Sequence, residues 1–558
     1  MPENQLKIGR KIINGRFVIP SGIRCTRAST IQWCFQNVPS IGVVTTKSIS
    51  LAPRAGYLEP IYARYAPGCY INAVGLSNPG AEKFRAELEQ IHVPGDKFLL
   101  VSIFGGNTKQ FVETAMALRS VADGFELNMS CPHAEGYGVE IGQKRELVVE
   151  ITKAVIQATG LPVFVKLSAV VLDLAQTARS SIEAGAAGIT VSNTVGPATV
   201  NLAGIPILSN RVGGLSGVGI RPLALRSVKR VREAVGQGPT VIGMGGVFEP
   251  EDVAEFMDAG ADLVGVGSAL TGMDSAAMKQ YFERLDHDWQ NPQLRKPVIR
   301  PADISMDYTM ATIVGRRDYH PDLFKIVLDR LPTEISRGEL AGKYFFVAQP
   351  GVGEKPFAVF CAEEKSIVVR VAGRFTKHLQ GLQPGTQLYL RGPYGRHFPA
   401  VSGRDVVMLG GGTGIASLLE IGKLLADENK PHFLIGGRSA QDLFDLEKFE
   451  ALGKVRVSTN DGTLGRAGFV SDLLADWLKE PRDGRSKPVF VVCGPEPMVK
   501  ACFGLLGSFT AQDVWAAIEY TTSCGVGICG KCASPSGALT CIDGPFLTRP
   551  HFQPAPRA

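Results

Sequence analysis

Four cysteines, Cys524, Cys529, Cys532 and Cys541, crowd into the stretch CGVGICGKCASPSGALTC near the C-terminal end of a 558-residue chain. Thiols this close can form disulfides, hold zinc or hold an iron–sulfur cluster. Disulfides suit a secreted chain, but the start, MPENQLKIGRKIINGR, has no apolar core of signal-peptide length, and eleven cysteines is an odd total. Structural zinc usually takes two CxxC pairs or adds histidines, and the CxxC here is Cys529–Cys532 alone. The spacing C-x4-C-x2-C-x8-C follows the start of the plant-type [2Fe–2S] pattern, with its fourth ligand arriving late. Gly525, Gly527 and Gly530 let the backbone turn tightly enough to aim N–H groups at sulfur. A [2Fe–2S] cluster is therefore expected, with zinc as the alternative. Such a cluster passes one electron at a time, so the rest of the chain has to supply a donor and an acceptor.

A second chemistry-bearing stretch is VVMLGGGTGIASLLEIG, where Gly410–Gly414 join a buried strand to a helix. Such a turn lets a pyrophosphate approach the backbone and sit on the helix N-terminus. It is not GxGxxG, and a tight turn with no ligand is the plainer reading. The kinked Cys493-Gly494-Pro495-Glu496-Pro497-Met498, after another apolar strand, strengthens the nucleotide reading.

Elements must position these groups. From about residue 16 to 270, the apolar runs FVIPSG, IGVVTTK, FLLVSIFG, GFELNMS, PVFVKLS, GITVSNT, TVIGMGG and LVGVGSA alternate with amphipathic helical stretches. Eight strands in strict alternation predict a (β/α)8 TIM barrel, whose chemistry sits at the C-terminal strand ends. Ser21, Lys47, Asn128, Lys166, Asn193, Gly245 and Gly267 fall there. Beyond a proline-bearing stretch at 286–303, short β-like runs predict a small antiparallel β-barrel, and βα alternation then resumes. The expected domains are 1–285, a linker at 286–304, 305–402, 403–512 and a cysteine segment at 513–558. Hydrophobic content of 45% and 64 glycines suit a globular α/β chain. Net charge of +6 is too weak and scattered to argue for nucleic acid or a membrane surface, and no apolar run is long enough to span a bilayer. A cytoplasmic location is the simplest expectation. Self-association as a homo-oligomer is left open.

The C-terminal half, with its β-barrel, GGGTG, CGPxPM and late CGVGxCxxC, resembles ferredoxin reductase-like proteins. It is most similar to the iron–sulfur flavoprotein subunit of NAD-dependent dihydroorotate dehydrogenase. That resemblance implies FAD at Lys355, Pro356, Phe357, Ala358 and Val359, where the family has Arg-Pro-x-Ser, and at a second turn with Gly373 and Thr376. Lysine keeps the positive charge but loses the bidentate fork. NAD(H) is implied at Gly411, Gly412, Thr413, Gly414, Cys493, Gly494 and Pro495. The barrel resembles the partner catalytic subunit through NMSCPH (128–133), GGLSG (213–217), GMGGV (243–247), GVGSA (265–269), TTKSISL and NAVGLSNPG. The whole chain looks like a fusion of the two subunits.

That resemblance implies FMN held by Ser21, Gly22, Lys47, Ser48, Asn128, Lys166, Gly217, Gly245, Gly246, Gly267 and Ser268. It implies Cys131 as the acid–base group, and Lys47, Asn72, Asn128, His133, Asn193 and Thr194 around a pyrimidine-like substrate. Lys47 and Lys166 would stabilise negative charge on the reduced ring. Hydride moves two electrons and a cluster moves one, so a flavin is expected at each end of the wire. His133 stands where dihydroorotate enzymes have asparagine, and Gly56-Tyr57-Leu58-Glu59-Pro60-Ile61 departs from the family's Gly-Asn-Pro-x-Pro-Arg. The expected reaction is dihydroorotate/orotate interconversion coupled to NAD(H). A reductase of uracil, thymine or another conjugated ring, and an electron-transfer protein serving a partner, are the alternatives.

Overall fold

The computed structural model describes residues 5–130, 139–291, 293, 304–333, 338–429, 431–481 and 487–554. Cys131, His133 and most of the expected linker lie outside them. The chain divides into two compact units. Met1–Ile304 and Val526–Ala533 belong to the first, Ser305–Gly525 and Ser534–Pro554 to the second.

The first unit is built on eight parallel strands that close into a barrel in sequence order. They are β1 (Phe17–Ile19), β2 (Ile41–Thr45), β3 (Phe98–Ile103), β4 (Gly124–Asn128), β5 (Val163–Leu167), β6 (Gly188–Val191), β7 (Thr240–Met244) and β8 (Leu263–Gly265). Every residue of these strands is buried, as expected of strands covered on both faces. All eight are the apolar runs singled out in the sequence. Long helices such as Arg145–Thr159 and Arg221–Val235 form between them, each with an apolar stripe of buried residues. The last, Ser275–Gln290, runs into the stretch expected as linker, because Tyr281, Phe282 and Leu285 continue its buried face.

Two features were not expected. A hairpin of Gln5–Ile8 and Lys11–Asn14 buries Ile8 and Ile13 against Phe98, Leu100 and Phe164, closing the N-terminal end of the barrel. At the other end, the loops after β2 and β6 build a four-stranded antiparallel sheet. It pairs Val195–Ala198, Gly213–Gly217, Cys69–Asn72 and Tyr62–Ala66 in that order. GGLSG, one of the motifs that carry the resemblance, is a strand here, paired from Gly214↔Asn72 to Gly217↔Cys69. Its glycines permit that close pairing: a Cβ on Gly217 would come within 1.9 Å of the Gly68 carbonyl oxygen.

In the second unit, six antiparallel strands form one sheet: β9 (Thr309–His320), β10 (Leu323–Leu328), β11 (Tyr344–Gln349), β12 (Gly353–Ala358), β13 (Ser366–Arg370) and β14 (Gln387–Tyr394). Their order is β12-β11-β14-β9-β10-β13, so the sheet curls but its edges are not paired into a closed barrel. Pro356 helps keep that edge open, since it offers no N–H to a further strand. A seven-stranded sheet follows: β15 (Val406–Gly411), β16 (His432–Gly437), β17 (Lys454–Thr459), β18 (Arg466–Ala467), β19 (Val489–Cys493), β20 (Val514–Ala517) and β21 (Leu547–Thr548). Its order is β18-β17-β16-β15-β19-β20-β21, all parallel except the last pair. This sheet crosses the expected boundary at 512, because β20 and β21 flank the cysteine segment. No described helix is long and apolar enough to cross a membrane.

Candidate active site and nucleotide cleft

Polar side chains meet where the barrel strands end. Ser48 Oγ is the hub: it lies 3.1 Å from Ser21 Oγ and 2.9 Å from Ser102 Oγ, and accepts from Asn128 Nδ2 at 2.8 Å. Asn128 Oδ1 in turn accepts from Ser130 Oγ at 3.0 Å, and Ser130 Oγ accepts from Asn193 Nδ2 at 2.9 Å. On the other side, Ser102 Oγ donates to Glu126 Oε1 at 3.1 Å, and that oxygen lies 3.6 Å from Lys166 Nζ. One connected network therefore joins strand ends from β1 to β6. In-register pairing sets part of it, since Asn128 and Thr190 both stand opposite Lys166 across adjacent strands.

The remaining expected FMN positions gather around it. Lys47 Nζ approaches Gly22 so closely that a Cβ there would be 3.5 Å away. Gly267 faces Ile23, and Ser268 opens a short turn just after it. A Cβ on Gly246 would meet the Gly217 carbonyl oxygen at 2.8 Å, and one on Gly245 would lie 3.7 Å from Ser192 Oγ. Of the other expected substrate positions, Asn72 Nδ2 donates to Gly214 O at 3.2 Å, and the Thr194 backbone N–H donates to Asn193 Oδ1 at 2.8 Å. Cys25 sits in this neighbourhood and accepts from the Gly22 N–H at 3.0 Å. Burial pushes its thiol up to about 11, against the pull of the Gly22 N–H and of Lys47 and Lys166.

The second unit has a cleft of 610 Å³ between its two sheets. Its walls include Lys355, Pro356, Phe357, Ala358, Val359 and Thr376 from the expected FAD set, and Thr413, Gly414, Cys493 and Gly494 from the expected NAD set. Gly373, Gly411, Gly412 and Pro495 flank the cleft without lining it; Ala372, beside Gly373, does line it. Thr376 Oγ1 accepts from the Ala372 and Gly373 N–H groups at 2.9 and 3.0 Å. The two glycine turns touch, since a Cβ on Gly414 would stand 2.5 Å from the Cys493 carbonyl oxygen. Burial pushes the Cys493 thiol up to about 12, so it stays neutral. Tyr344, Arg370 and the segment Glu519–Thr522 also line the cleft and were not expected from sequence.

Cys524, Cys529, Cys532 and Cys541 are each buried, and none is in a disulfide. Gly525, Gly527 and Gly530 all take left-handed φ, near +79°, +72° and +70°, which favours glycine at these turns. In the second unit the Cys524 carbonyl accepts from Arg391 Nη1 at 3.0 Å, and the Cys541 carbonyl from Tyr344 Oη at 3.2 Å.

Residues 5–288, which contain the barrel, match the family described as Dihydroorotate dehydrogenase. The chain belongs to that family. Residues 408–503 match the Oxidoreductase NAD-binding domain. The dihydroorotate dehydrogenase B (NAD(+)) catalytic subunit of Pyrococcus abyssi is 44% identical over 233 residues, covering 41% of this chain and 75% of that protein. The corresponding subunit of Thermococcus kodakarensis is 43% identical over 242 residues, covering 43% and 78%. Among solved structures, the dihydroorotate dehydrogenase of Eimeria tenella in complex with ferulenol aligns at 20% identity and a TM-score of 0.42, over 48% of this chain and 80% of that one. The chain is thus an oxidoreductase in which a barrel similar to the B-type catalytic subunit and an NAD-binding domain occur together. Ser102, Glu126 and Ser130 are polar members of its barrel site that the sequence reading passed over. The signal was present for Glu126, an acid within the otherwise apolar FELN of a buried strand.

Proposed function

We propose that this chain oxidises dihydroorotate in its barrel and passes the electrons through a [2Fe–2S] cluster and FAD to NAD+, in the cytoplasm. The observation that carries this is the network from Ser21 to Asn193. It holds Ser130, the residue before Cys131, from both sides. The residues fit the cofactors. Buried Ser192 Oγ beside Gly245, and Glu126 Oε2, have no hydrogen-bond partner among the described residues. Such orphaned groups ask for a polar ligand. The cleft of the second unit has Lys355 in its wall, and Arg370, which Asp322 and Asp442 hold in place. Cys524, Cys529, Cys532 and Cys541 are buried and offer the soft sulfur ligands that a cluster takes.

FMN would supply a hydride acceptor, FAD a hydride donor to NAD+, and the cluster single-electron transfer between them. Ser21, Ser48 and Asn128 would orient the ring, and Lys47 and Lys166 would offset its negative charge. Gly245, Gly246, Gly267 and Ser268 would present N–H and O–H groups to the phosphate. Asn128 and Asn193 would hold the pyrimidine edge, and Cys131 would take the proton from the carbon next to the one losing hydride. The test is to reduce the enzyme anaerobically and offer orotate, uracil or thymine. Reoxidation by orotate alone supports the reading. Reoxidation by uracil or thymine reassigns the substrate, and reoxidation by none would leave an electron-transfer protein.

A further inference from the structure

We propose that Glu126 is a positioning residue that sets how much positive charge Lys166 presents to the barrel flavin; this rests on the FMN reading above. Glu126 stands on β4 with its side chain fully buried, and the Lys166 side chain on β5 is only 4% exposed. Burying a carboxylate is costly, and a carboxylate kept for structure alone is normally saturated with hydrogen bonds. This one is not. Oε1 accepts from Ser102 Oγ and faces Lys166 Nζ at 3.6 Å, while Oε2 has no hydrogen-bond partner among the described residues. At 3.6 Å the ammonium is attracted by the carboxylate without a tight hydrogen bond to it. Ser102 fixes the carboxylate through Ser48, the same hydroxyl that receives Asn128. The acid is therefore wired into the site rather than into the barrel wall.

The consequence is electrostatic. Reduction by NADH moves one hydride overall: NADH becomes NAD+, and oxidised FMN becomes the anionic two-electron form with one added proton. A buried ammonium nearby favours that anion, and a carboxylate behind the ammonium opposes it. Glu126 thus holds the flavin at a lower potential than Lys166 alone would give.

Glu126→Gln keeps the shape and an oxygen for Ser102 while removing the charge. With anaerobic wild type and variant poised against the same NADH/NAD+ mixtures, the FMN reduction equilibrium of the variant should favour the reduced form by about tenfold. Glu126→Asp moves the charge back by one methylene and should shift the equilibrium the same way by only a few-fold. A merely structural role would change stability or FMN content without moving this equilibrium. Either variant, loaded with FMN and unshifted, overturns the proposal. FMN missing from the wild-type enzyme would instead overturn the flavin assignment itself, and extraction of the bound flavin distinguishes the two.

Discussion

Ser130, the residue before Cys131, shows how a side chain can be fixed by residues distant in sequence. Asn128 and Asn193 hold its hydroxyl, so Ser130 is fixed by β4 and the loop after β6 together. Cys131→Ala should lower substrate-dependent turnover by about 10²- to 10⁴-fold, the usual contribution of a placed acid–base group. NADH reduction of both flavins should be nearly unchanged in stopped-flow traces. Cys131→Ser should keep a little activity that rises with pH, because a hydroxyl is a weaker acid than a thiol. If instead His133→Ala lost the activity and Cys131→Ala kept it, the roles would be exchanged. The strand-end residues were legible because lysine or asparagine closing an apolar run needs a reason. Ser102 and Ser130 were not, since a serine in or just after such a run reads as tolerated packing until a partner across the barrel is known. Cys25 was hidden for the same cause: nothing in SGIRC tells that its sulfur comes near two lysines.

Among elements, the barrel strands were the most legible part, because each is an apolar run buried on both faces. The hairpin at 5–14 and the inserted antiparallel sheet were not. Their strands are short, and Gly213–Gly217 acquires its strand conformation only from pairing with Cys69–Asn72. The contact between the two nucleotide turns makes a sharp prediction. Gly414→Ala would push a methyl against the Cys493 carbonyl and part the turns. NADH affinity should weaken at least about tenfold, a cost of the order of one displaced backbone contact. Dihydroorotate-dependent reduction of the barrel flavin, followed by its absorbance, should be spared.

The two sheets of the second unit are joined by a buried charge. Asp445 accepts from Lys325 Nζ at 2.5 Å and Tyr319 Oη at 2.8 Å, with Arg317 at 3.1 Å. Burial alone would raise this carboxyl, but the bonds from Lys325 and Tyr319 outweigh it and hold it below the usual aspartate range. Its stabilisation is therefore complete above the unfolded value near ~3.9 and is lost as pH falls through the lower folded value. Asp445→Asn should cost about 1–3 kcal/mol at neutral pH in chemical denaturation, since Lys325 keeps Glu364 as a partner at 3.2 Å. That deficit should shrink below about pH 4.

At the scale of the whole molecule, the twofold division was legible from the change of pattern near residue 300, but its seams were not. The nucleotide sheet takes β20 and β21 from the stretch expected as a separate cysteine segment. The first unit includes Val526–Ala533, which no local pattern assigns to a barrel. Cys529→Ser should lose the chain's iron in a colorimetric assay while FAD is still reduced by NADH. Retention of about two irons per chain would exclude that cysteine as a ligand. Within the first unit, the N–H groups of Arg24 and Gly272 donate to the carbonyls of Ile528 and Val526, at 2.8 and 2.9 Å, and Thr26 Oγ1 donates to the Cys529 carbonyl at 2.6 Å. Those acceptors are made late. A ribosome adding about 5–20 residues per second would finish the barrel strands roughly 10 to 50 s before Val526–Ala533 emerges. Throughout that interval a nascent barrel can already be folded, yet its Arg24 and Gly272 amides must wait, solvated by water, for a segment still to be translated.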